Sequence, residues 1–256
     1  MYNIEDIKNT VVEGDCVEVL RKIPDNSIDL VVTSPPYNCG IKYDRHYDKM
    51  VWEDYYDWCT LWLGEIYRVL KDDGRFCLNH YLSLGDSLAR HTPLMTLNTL
   101  ALNLGFKHQG IAIWTDITLT KRTAWGSWLS ASSPYINSPY EGILILYKND
   151  WKKYSKGEST INKEDFMMAC SGVWKIHPAN IPDFPAPFPV RLPKLCIELL
   201  TYVGDIILDP FMGSGTTGVA AVKSKRNYIG IELSPDYCKL ARDNIKAELD
   251  INFLFS

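Results

Sequence analysis

Residues 205–222 read DIILDPFMGSGTTGVAAV, an apolar run followed by a glycine-rich turn and a stretch of small residues that predicts a helix. The turn holds Gly213, Gly215 and Gly218 in GxGxxG spacing. Glycines at this spacing let a ligand approach the backbone at a helix N-terminus. The next predicted strand ends in Glu232, 19 residues after Gly213, where a carboxylate can accept hydrogen bonds from ribose hydroxyls. The stretch predicts a nucleotide-type cofactor site, and a purely structural tight turn is the alternative.

Six more short apolar runs, rich in β-branched residues, also predict strands. They are VVEG (11–14), DLVVTS (29–34), RFCLN (75–79), GIAIW (110–114), GILILY (142–147) and NYIGIE (227–232). Residues 53–70 carry apolar side chains at helical spacing before KDDG, and Ser234-Pro235 is typical of a helix start. Strands alternating with helices predict an α/β fold with a doubly wound, mostly parallel sheet of seven strands.

The glycine loop lies unusually late in the chain, since only 38 residues follow Gly218. The rest of the sheet must therefore come from the N-terminal half, in a permuted order. This order predicts that the strand ending in TSPPYN lies beside the strand of the glycine loop. Both loops would then open onto one cleft at the carboxyl edge of the sheet.

The stretch VVTSPPYNCG (31–40) follows a strand with a rigid Pro-Pro corner, an aromatic residue and an amide. A simple turn requires none of these, because Asn-Gly or Pro-Asp-Gly reverses a chain without them. We therefore predict a functional site at Ser34, Pro35, Pro36 and Tyr37.

Composition limits the class of protein. The chain has 256 residues, 46% of them apolar, and a net charge of −4, which favours one domain with a sizeable core. No apolar run is long enough to span a membrane, and the N-terminal residues lack the pattern of a secretory signal. The seven cysteines include no closely spaced pair, which predicts reduced thiols and a cytoplasmic location, and the five histidines suggest no metal site.

Charge is unevenly distributed, with seven Lys or Arg against three acids in residues 107–156. A nucleic-acid contact and a solvated basic face both explain this segment. Residues 115–141 and 148–190 lack sustained periodicity, which predicts an insertion and an irregular loop region within a single domain.

Four stretches together resemble a known family. They are GDCVEVLRKIPDNSIDLVVTSPPYN (14–38), AWGSWLSASSPYINSPYEGILILYK (124–148), FPAPFPVRLPKLCIELL (184–200) and residues 205–232. They resemble the permuted, beta-class DNA amino-methyltransferases of the restriction-modification type. The resemblance implies a Rossmann-like methyltransferase sheet. It also implies site-specific methyl transfer from S-adenosylmethionine to the exocyclic amine of a flipped-out base.

The resemblance also implies roles for the TSPPYN loop. Ser34 and the Pro35 carbonyl would bind the amine, Pro36 would fix the corner, and Tyr37 would stack on the base. Tyr37→Phe and Tyr37→Trp keep an aromatic face and should therefore retain much of the activity.

For the cofactor, the resemblance implies a pocket whose residues come from four parts of the chain. Glu232 would bind the ribose, and Asp15 would face the adenine amine, although a helix N-cap explains Asp15 almost as well. The family often has His-Pro-Ala where residues 184–186 read Phe-Pro-Ala. The other pocket residues would be Phe188, Asp209, Phe211, Gly213, Gly215 and Thr216.

The recognition region of such relatives corresponds to residues 115–141. Lys121 and Arg122 would contact phosphates of double-stranded DNA, and Trp125, Trp128 and Tyr135 would stack on DNA or pack in the core. Because this region is short, a second copy of the chain is a candidate partner. A cognate restriction endonuclease is another.

Several functions stay open at this point. In the family, Ser before Pro-Pro more often accompanies N4-cytosine modification, and Asp accompanies N6-adenine, so we favour cytosine with adenine as the alternative. An RNA or small-molecule methyltransferase, a nicotinamide oxidoreductase and an inactive DNA-binding module are further alternatives. The oxidoreductase leaves TSPPYN unexplained, and the intact loop argues against the inactive module.

Overall fold

The computed structural model of the protein describes residues 1–85, 90–115, 126–136, 140–179, 184–185 and 188–254. Within these ranges, strands and helices alternate along most of the chain. The strands are β1 (Thr10–Glu13), β2 (Ile28–Thr33), β3 (Leu70–Tyr81), β4 (Leu84–Gly85), β5 (Arg90–His91), β6 (Lys107–Thr115), β7 (Glu141–Tyr147), β8 (Val173–Lys175), β9 (Ile206–Asp209) and β10 (Asn227–Glu232). The helices are α1 (Ile4–Ile7), α2 (Cys16–Leu20), α3 (Trp52–Val69), α4 (Pro93–Asn103), α5 (Lys163–Cys170), α6 (Arg191–Leu200), α7 (Thr216–Lys223) and α8 (Pro235–Leu254).

Eight of these strands form one sheet in the order β1-β10-β9-β2-β3-β7-β6-β8, while β4 and β5 form a separate pair. The strands from β1 to β3 in this order are parallel, β7 is antiparallel to both of its neighbours, and β8 is parallel to β6. Because β2 and β9 are parallel neighbours, the TSPPYN loop and the glycine loop leave the same edge of the sheet. The predicted cleft therefore has both of its loops at that edge.

Helices cover both faces of the sheet, so its central strands are buried on each side. Alternate residues of β2 illustrate this, since Val31 packs with α2, α3 and α4, whereas Leu30 and Val32 pack with α6, α7 and α8. The resulting two-sided core holds the sheet edge that carries both loops.

The sequence-based strand predictions agree with the sheet, since each of the seven apolar runs overlaps one strand. The sheet gains an eighth strand from β8, whose three residues are too few for a periodic signal. The helix predicted over 53–70 is α3, which ends at Val69 because Leu70 begins β3 and KDDG continues that strand. Ser234 caps α8 as predicted, since its Oγ accepts a hydrogen bond from Tyr237 N at 3.2 Å.

Residues 148–190 are more regular than the sequence suggested, because they contain α5 and β8. Asn162 caps α5 by accepting a hydrogen bond from Asp165 N at 2.8 Å, and Arg191 of α6 pairs with the Asp165 carboxylate. An eight-residue helix fixed by a cap and an ion pair gives little hydrophobic periodicity.

All seven cysteines are free thiols, five of them buried. No helix in the described part of the chain is both long enough and apolar enough to cross a membrane.

Candidate functional site

The glycine loop connects β9 to α7 with a backbone that only glycine accommodates. Gly215 has a φ of +88°, and a Cβ there would lie 2.8 Å from Ala241 Cα in α8. At Gly218, a Cβ would lie 2.4 Å from Ile245 Cδ1, so this glycine permits close packing of α7 on α8. The third glycine of the motif therefore has a packing role, and the first two shape the loop.

Glu232 at the end of β10 supports the glycine loop from below. Its Oε2 accepts a hydrogen bond from Gly213 N at 2.8 Å, and its Oε1 accepts one from Ser234 N at 2.9 Å. Burial raises the pKa of this carboxyl group above its ordinary value. Because each carboxylate oxygen can accept more than one hydrogen bond, Glu232 retains acceptor capacity for hydroxyl groups of a ligand.

Asp209 at the end of β9 is buried beneath both loops. It accepts hydrogen bonds from Thr33 Oγ1 at 2.6 Å, Thr217 Oγ1 at 2.5 Å and Phe211 N at 3.0 Å. Burial raises the pKa of this carboxyl group to about 6. These contacts join the ends of β2 and β9 to the start of α7, so Asp209 supports the site from within the protein.

Asp15 caps α2, because its Oδ1 accepts hydrogen bonds from Val17 N at 2.9 Å and Glu18 N at 3.1 Å. Asp15 nonetheless lines the cavity described below. The capping role found in the sequence is therefore real, and Oδ2 remains available to a ligand.

Asp48 holds the TSPPYN loop in shape, although nothing in the sequence singled it out. Its buried carboxylate accepts hydrogen bonds from the backbone N–H groups of Tyr37 at 3.1 Å, Asn38 at 2.6 Å and Cys39 at 3.2 Å. Asn38 is left-handed with a φ of +58°, and its side chain exchanges hydrogen bonds with the backbone of Met50. Three backbone amides of the loop thus surround the Asp48 carboxylate, which holds the loop in this conformation.

A hydrogen-bond network links the loop to β3 and β7. Ser34 Oγ donates to Tyr37 Oη at 2.7 Å, and Tyr37 Oη donates to Glu141 Oε2 at 2.8 Å. Asn79 Nδ2 donates to both Tyr37 Oη and Glu141 Oε2 at 2.7 Å. Burial raises the pKa of Glu141, and burial beside Glu141 raises that of Tyr37, which keeps the phenol protonated.

The two carbonyl groups of the Pro-Pro corner differ in their hydrogen bonding. Tyr55 Oη donates to the Pro36 carbonyl at 2.7 Å and lies 3.0 Å from His80 Nε2. Burial lowers the pKa of His80 to about 3, so this ring is neutral. Among the described residues, no group donates to the Pro35 carbonyl. That oxygen is therefore available to an amine in the cavity.

Both loops line one cavity of about 630 Å³. Small-molecule sites typically enclose about 300–1,000 Å³. Its wall includes Trp58, Glu141, all four predicted residues of the Pro-Pro corner and six of the eight predicted cofactor residues. The predicted residues in the wall are Ser34, Pro35, Pro36, Tyr37, Asp15, Phe188, Phe211, Gly213, Thr216 and Glu232. Gly215 faces α8, and Asp209 lies behind the wall. The cavity combines carboxylate acceptors, from Glu232 and Asp15, with the apolar rings of Phe211 and Phe188, a lining that fits a ligand with both polar and apolar parts, such as S-adenosylmethionine.

The model of a protein family described as DNA methylase, N6_N4_Mtase, matches residues 28–243. The chain belongs to this family. It is an S-adenosylmethionine-dependent DNA methyltransferase of the class that modifies an exocyclic amine of cytosine or adenine.

Individual relatives support this assignment. The Type II methyltransferase M.MjaVI of Methanocaldococcus jannaschii is 45% identical over 64% of this chain and 84% of its own. The DNA adenine methyltransferase YhdJ of Escherichia coli is 28% identical over 90% of this chain and 80% of its own. A DNA modification methylase of Thermus thermophilus, TTHA0409 in complex with S-adenosyl-L-methionine, has a similar structure. Its TM-score is 0.73 at 28% identity, over 94% of this chain and 96% of that one.

The predicted DNA contacts of this methyltransferase are only partly described. Lys121, Arg122 and Trp125 lie outside the described residues. Trp128 is 65% exposed, and Tyr135 lies under the Arg90 guanidinium, whose central carbon is 4.4 Å from the ring centroid. Arg90 also donates to the Ile136 carbonyl at 2.8 Å and was not predicted, because no motif surrounds it.

Proposed function

We propose that this DNA methyltransferase modifies a specific sequence by transferring a methyl group to the exocyclic amine of a flipped-out base, preferably N4 of cytosine. One observation carries the proposal: Ser34, Pro35 and Tyr37 share a single cavity with the glycine loop and Glu232. A base amine and a methyl donor bound in the two halves of that cavity would lie side by side. Such placement of reacting groups lowers the barrier of a two-substrate reaction.

The cofactor half of the cavity would bind S-adenosylmethionine, which supplies a methyl group bound to a positively charged sulfur. Glu232 accepts hydrogen bonds from the ribose, and Asp15 accepts one from the adenine amine. Phe188, Phe211, Gly213 and Thr216 complete this half, with Gly215 and Asp209 supporting its loop from behind.

The base half of the cavity would orient the amine. The Ser34 hydroxyl donates a hydrogen bond to Tyr37, so its lone pairs are free to accept one hydrogen of the amine. The Pro35 carbonyl accepts the second hydrogen of the amine. These two acceptors aim the nitrogen lone pair at the methyl group. The Tyr37 ring, with His80 behind it at a centroid distance of 4.3 Å, provides an aromatic surface for the flipped base.

The identity of the base rests on Ser34, which in similar enzymes more often accompanies cytosine. Adenine is the second candidate, because YhdJ is an adenine methyltransferase and aligns with 90% of this chain. The test is to incubate the protein with labelled S-adenosylmethionine and methylation-free genomic DNA, digest the DNA and identify the labelled nucleoside. N4-methylcytosine is the expected product, N6-methyladenine would correct the base, and label only in an RNA control would reject DNA as the substrate.

The biological setting is part of the proposal. The relative M.MjaVI is named a Type II methyltransferase, which supports a cognate restriction endonuclease as a partner. The short recognition region, residues 115–141, supports a homodimer in which each copy contacts part of the DNA. Seven free cysteines favour the reducing cytoplasm.

A further inference from the structure

Glu141, the first residue of β7, ends a hydrogen-bond chain that begins at the cavity wall. The chain runs from Ser34 Oγ to Tyr37 Oη over 2.7 Å and from Tyr37 Oη to Glu141 Oε2 over 2.8 Å. Each hydroxyl in this chain donates its hydrogen bond to the next group toward the carboxylate. Asn79 Nδ2 donates to the same Oε2 at 2.7 Å, so this oxygen accepts two hydrogen bonds.

The methyl-transfer reaction leaves one proton to be removed. As the new C–N bond forms, the S–C bond breaks and its electron pair stays on sulfur, so the sulfur loses its positive charge. The amine nitrogen then carries the methyl group, two hydrogens and the positive charge. Loss of one proton completes the reaction, and a nearby base must accept it.

Given that the Ser34–Tyr37 loop is the base site, as proposed above, we propose that Glu141 is the terminal acceptor of this proton. Ser34 Oγ takes the proton from the amine and passes its own proton to Tyr37 Oη, which passes its own to Glu141 Oε2. Both hydroxyls end neutral, and the carboxylate becomes a carboxylic acid. The positive charge that leaves sulfur is thereby cancelled by the negative charge of Glu141.

The surroundings of Glu141 suit this role. It lies opposite Tyr81 of β3 and Trp114 of β6 in the sheet register, and the titratable groups that face it are Tyr37 and Tyr81, with neutral His80 behind Tyr37. Among the described residues, no cation forms an ion pair with Glu141. Burial without a compensating cation raises the pKa of a carboxyl group and makes it a stronger base near neutral pH.

The test is the single-turnover rate of methyl transfer to methylation-free genomic DNA as a function of pH, with enzyme in excess of sites. For the wild type, we expect the rate to fall with decreasing pH as Glu141 becomes protonated. Glu141→Gln should be about a hundredfold slower than the wild type. Its rate should also depend less on pH, because glutamine does not titrate. Asp209, which has a pKa of about 6, is present in both proteins. A pH dependence caused by Asp209 would therefore appear in both, whereas one caused by Glu141 would appear only in the wild type.

Tyr37→Phe provides an independent arm, because it keeps the aromatic ring and leaves Glu141 in place. Stacking alone predicts that this variant stays active, whereas the proton relay predicts a loss similar to that of Glu141→Gln. The double variant should be no slower than either single variant, because both interrupt one chain. Glu141→Asp should retain the pH dependence at a reduced rate.

Glu198→Gln is the matched control, since Glu198 is a buried carboxylate on α6 that pairs with Lys194 outside the cavity, and its rate should equal that of the wild type. A wild-type rate in Glu141→Gln or Tyr37→Phe would overturn the relay, as would a slow Glu141→Gln with the wild-type pH profile. Wild-type activity in both Ser34→Ala and Tyr37→Ala would instead reject the loop as the base site. The two proposals therefore fail by different results.

Discussion

At the scale of single residues, Glu232 both supports the glycine loop and lines the cavity. It holds the glycine loop through Gly213 N at 2.8 Å and presents its remaining lone pairs to the cavity. Removing it should therefore affect both the loop and the ligand.

We expect Glu232→Ala to weaken the binding of S-adenosylmethionine by about 1–3 kcal/mol, because charge-assisted hydrogen bonds to the ribose are lost. Titration calorimetry measures this directly. Glu13→Ala is the control, since Glu13 is exposed and pairs with Glu232 in the β1–β10 register. Equal affinity in Glu232→Ala and Glu13→Ala would exclude Glu232 from the cofactor site.

Some residues of the candidate site belong to local sequence motifs, and others reach it only through tertiary contacts. Ser34, Tyr37 and Glu232 could be predicted because each belongs to a short motif at a strand end. Glu141 could not, because its contact with Tyr37 spans 104 positions and depends on how β3 and β7 pair. Asp48 was missed for a similar reason, since a lone acid in a loop has no sequence mark until the amides around it are known.

At the scale of elements, the Asp48 carboxylate replaces the regular hydrogen bonds that the TSPPYN loop lacks. Three backbone N–H groups point at one anion, so the loop depends on a side chain 9 to 11 positions away. The two prolines fix the first half of the loop, and Asp48 fixes the second.

Asp48→Ala should leave these three amides without an acceptor and loosen the loop, at a cost of about 1–3 kcal/mol. Hydrogen exchange of residues 37–39 should accelerate by at least about tenfold, and methyl transfer should slow while cofactor affinity changes little. Asp54→Ala, at an exposed position in the first turn of α3, provides the comparison. Unchanged exchange in residues 37–39 would show that the prolines alone hold the loop.

Most elements could be predicted because hydrophobic periodicity and helix caps are local signals. The runs at 29–34 and 205–210 correspond to β2 and β9, whose adjacency followed from the late position of the glycine loop. The short elements α5 and β8 could not be predicted, since an ion pair to α6 and pairing with β6 stabilise them. Tertiary contacts therefore determine the elements that carry the weakest patterns.

At the scale of the whole molecule, Asp209 should make stability depend on pH. Burial raises its pKa to about 6, above the value near 3.9 expected in the unfolded chain. The folded state thus binds this proton more tightly than the unfolded state does. Its contribution to the free energy of unfolding is largest below about pH 4, falls as the pH rises to about 6 and is constant above that.

Asp209→Asn removes this titration and keeps an acceptor for Phe211 N. Relative to the wild type, its free energy of unfolding should rise by about 2 kcal/mol between pH 4 and pH 7. Urea denaturation of both proteins at several pH values measures the difference, in which groups that titrate alike in both proteins cancel. A constant difference across this range would contradict the assignment.

The charge distribution gives a second prediction at this scale, which concerns Lys121 and Arg122. If both contact phosphates of duplex DNA, replacing both by alanine should flatten the salt dependence of binding by about two units of logarithmic slope. The methylated base should not change, because phosphate contacts carry no sequence information. Affinity measured at several salt concentrations decides this, and an unaltered slope would assign the two side chains to a solvated surface.

The single cavity shared by the glycine loop and the Ser34–Tyr37 loop has a consequence for inhibitor design. A bisubstrate compound, in which a short linker joins adenosine to a nucleobase, would occupy both halves of the 630 Å³ cavity at once. Once the first half is bound, the second meets its subsite at an effective concentration of about millimolar or more. Two weak fragments would thereby become one strong ligand, and the nucleobase would confer selectivity over proteins that bind only the adenosine part.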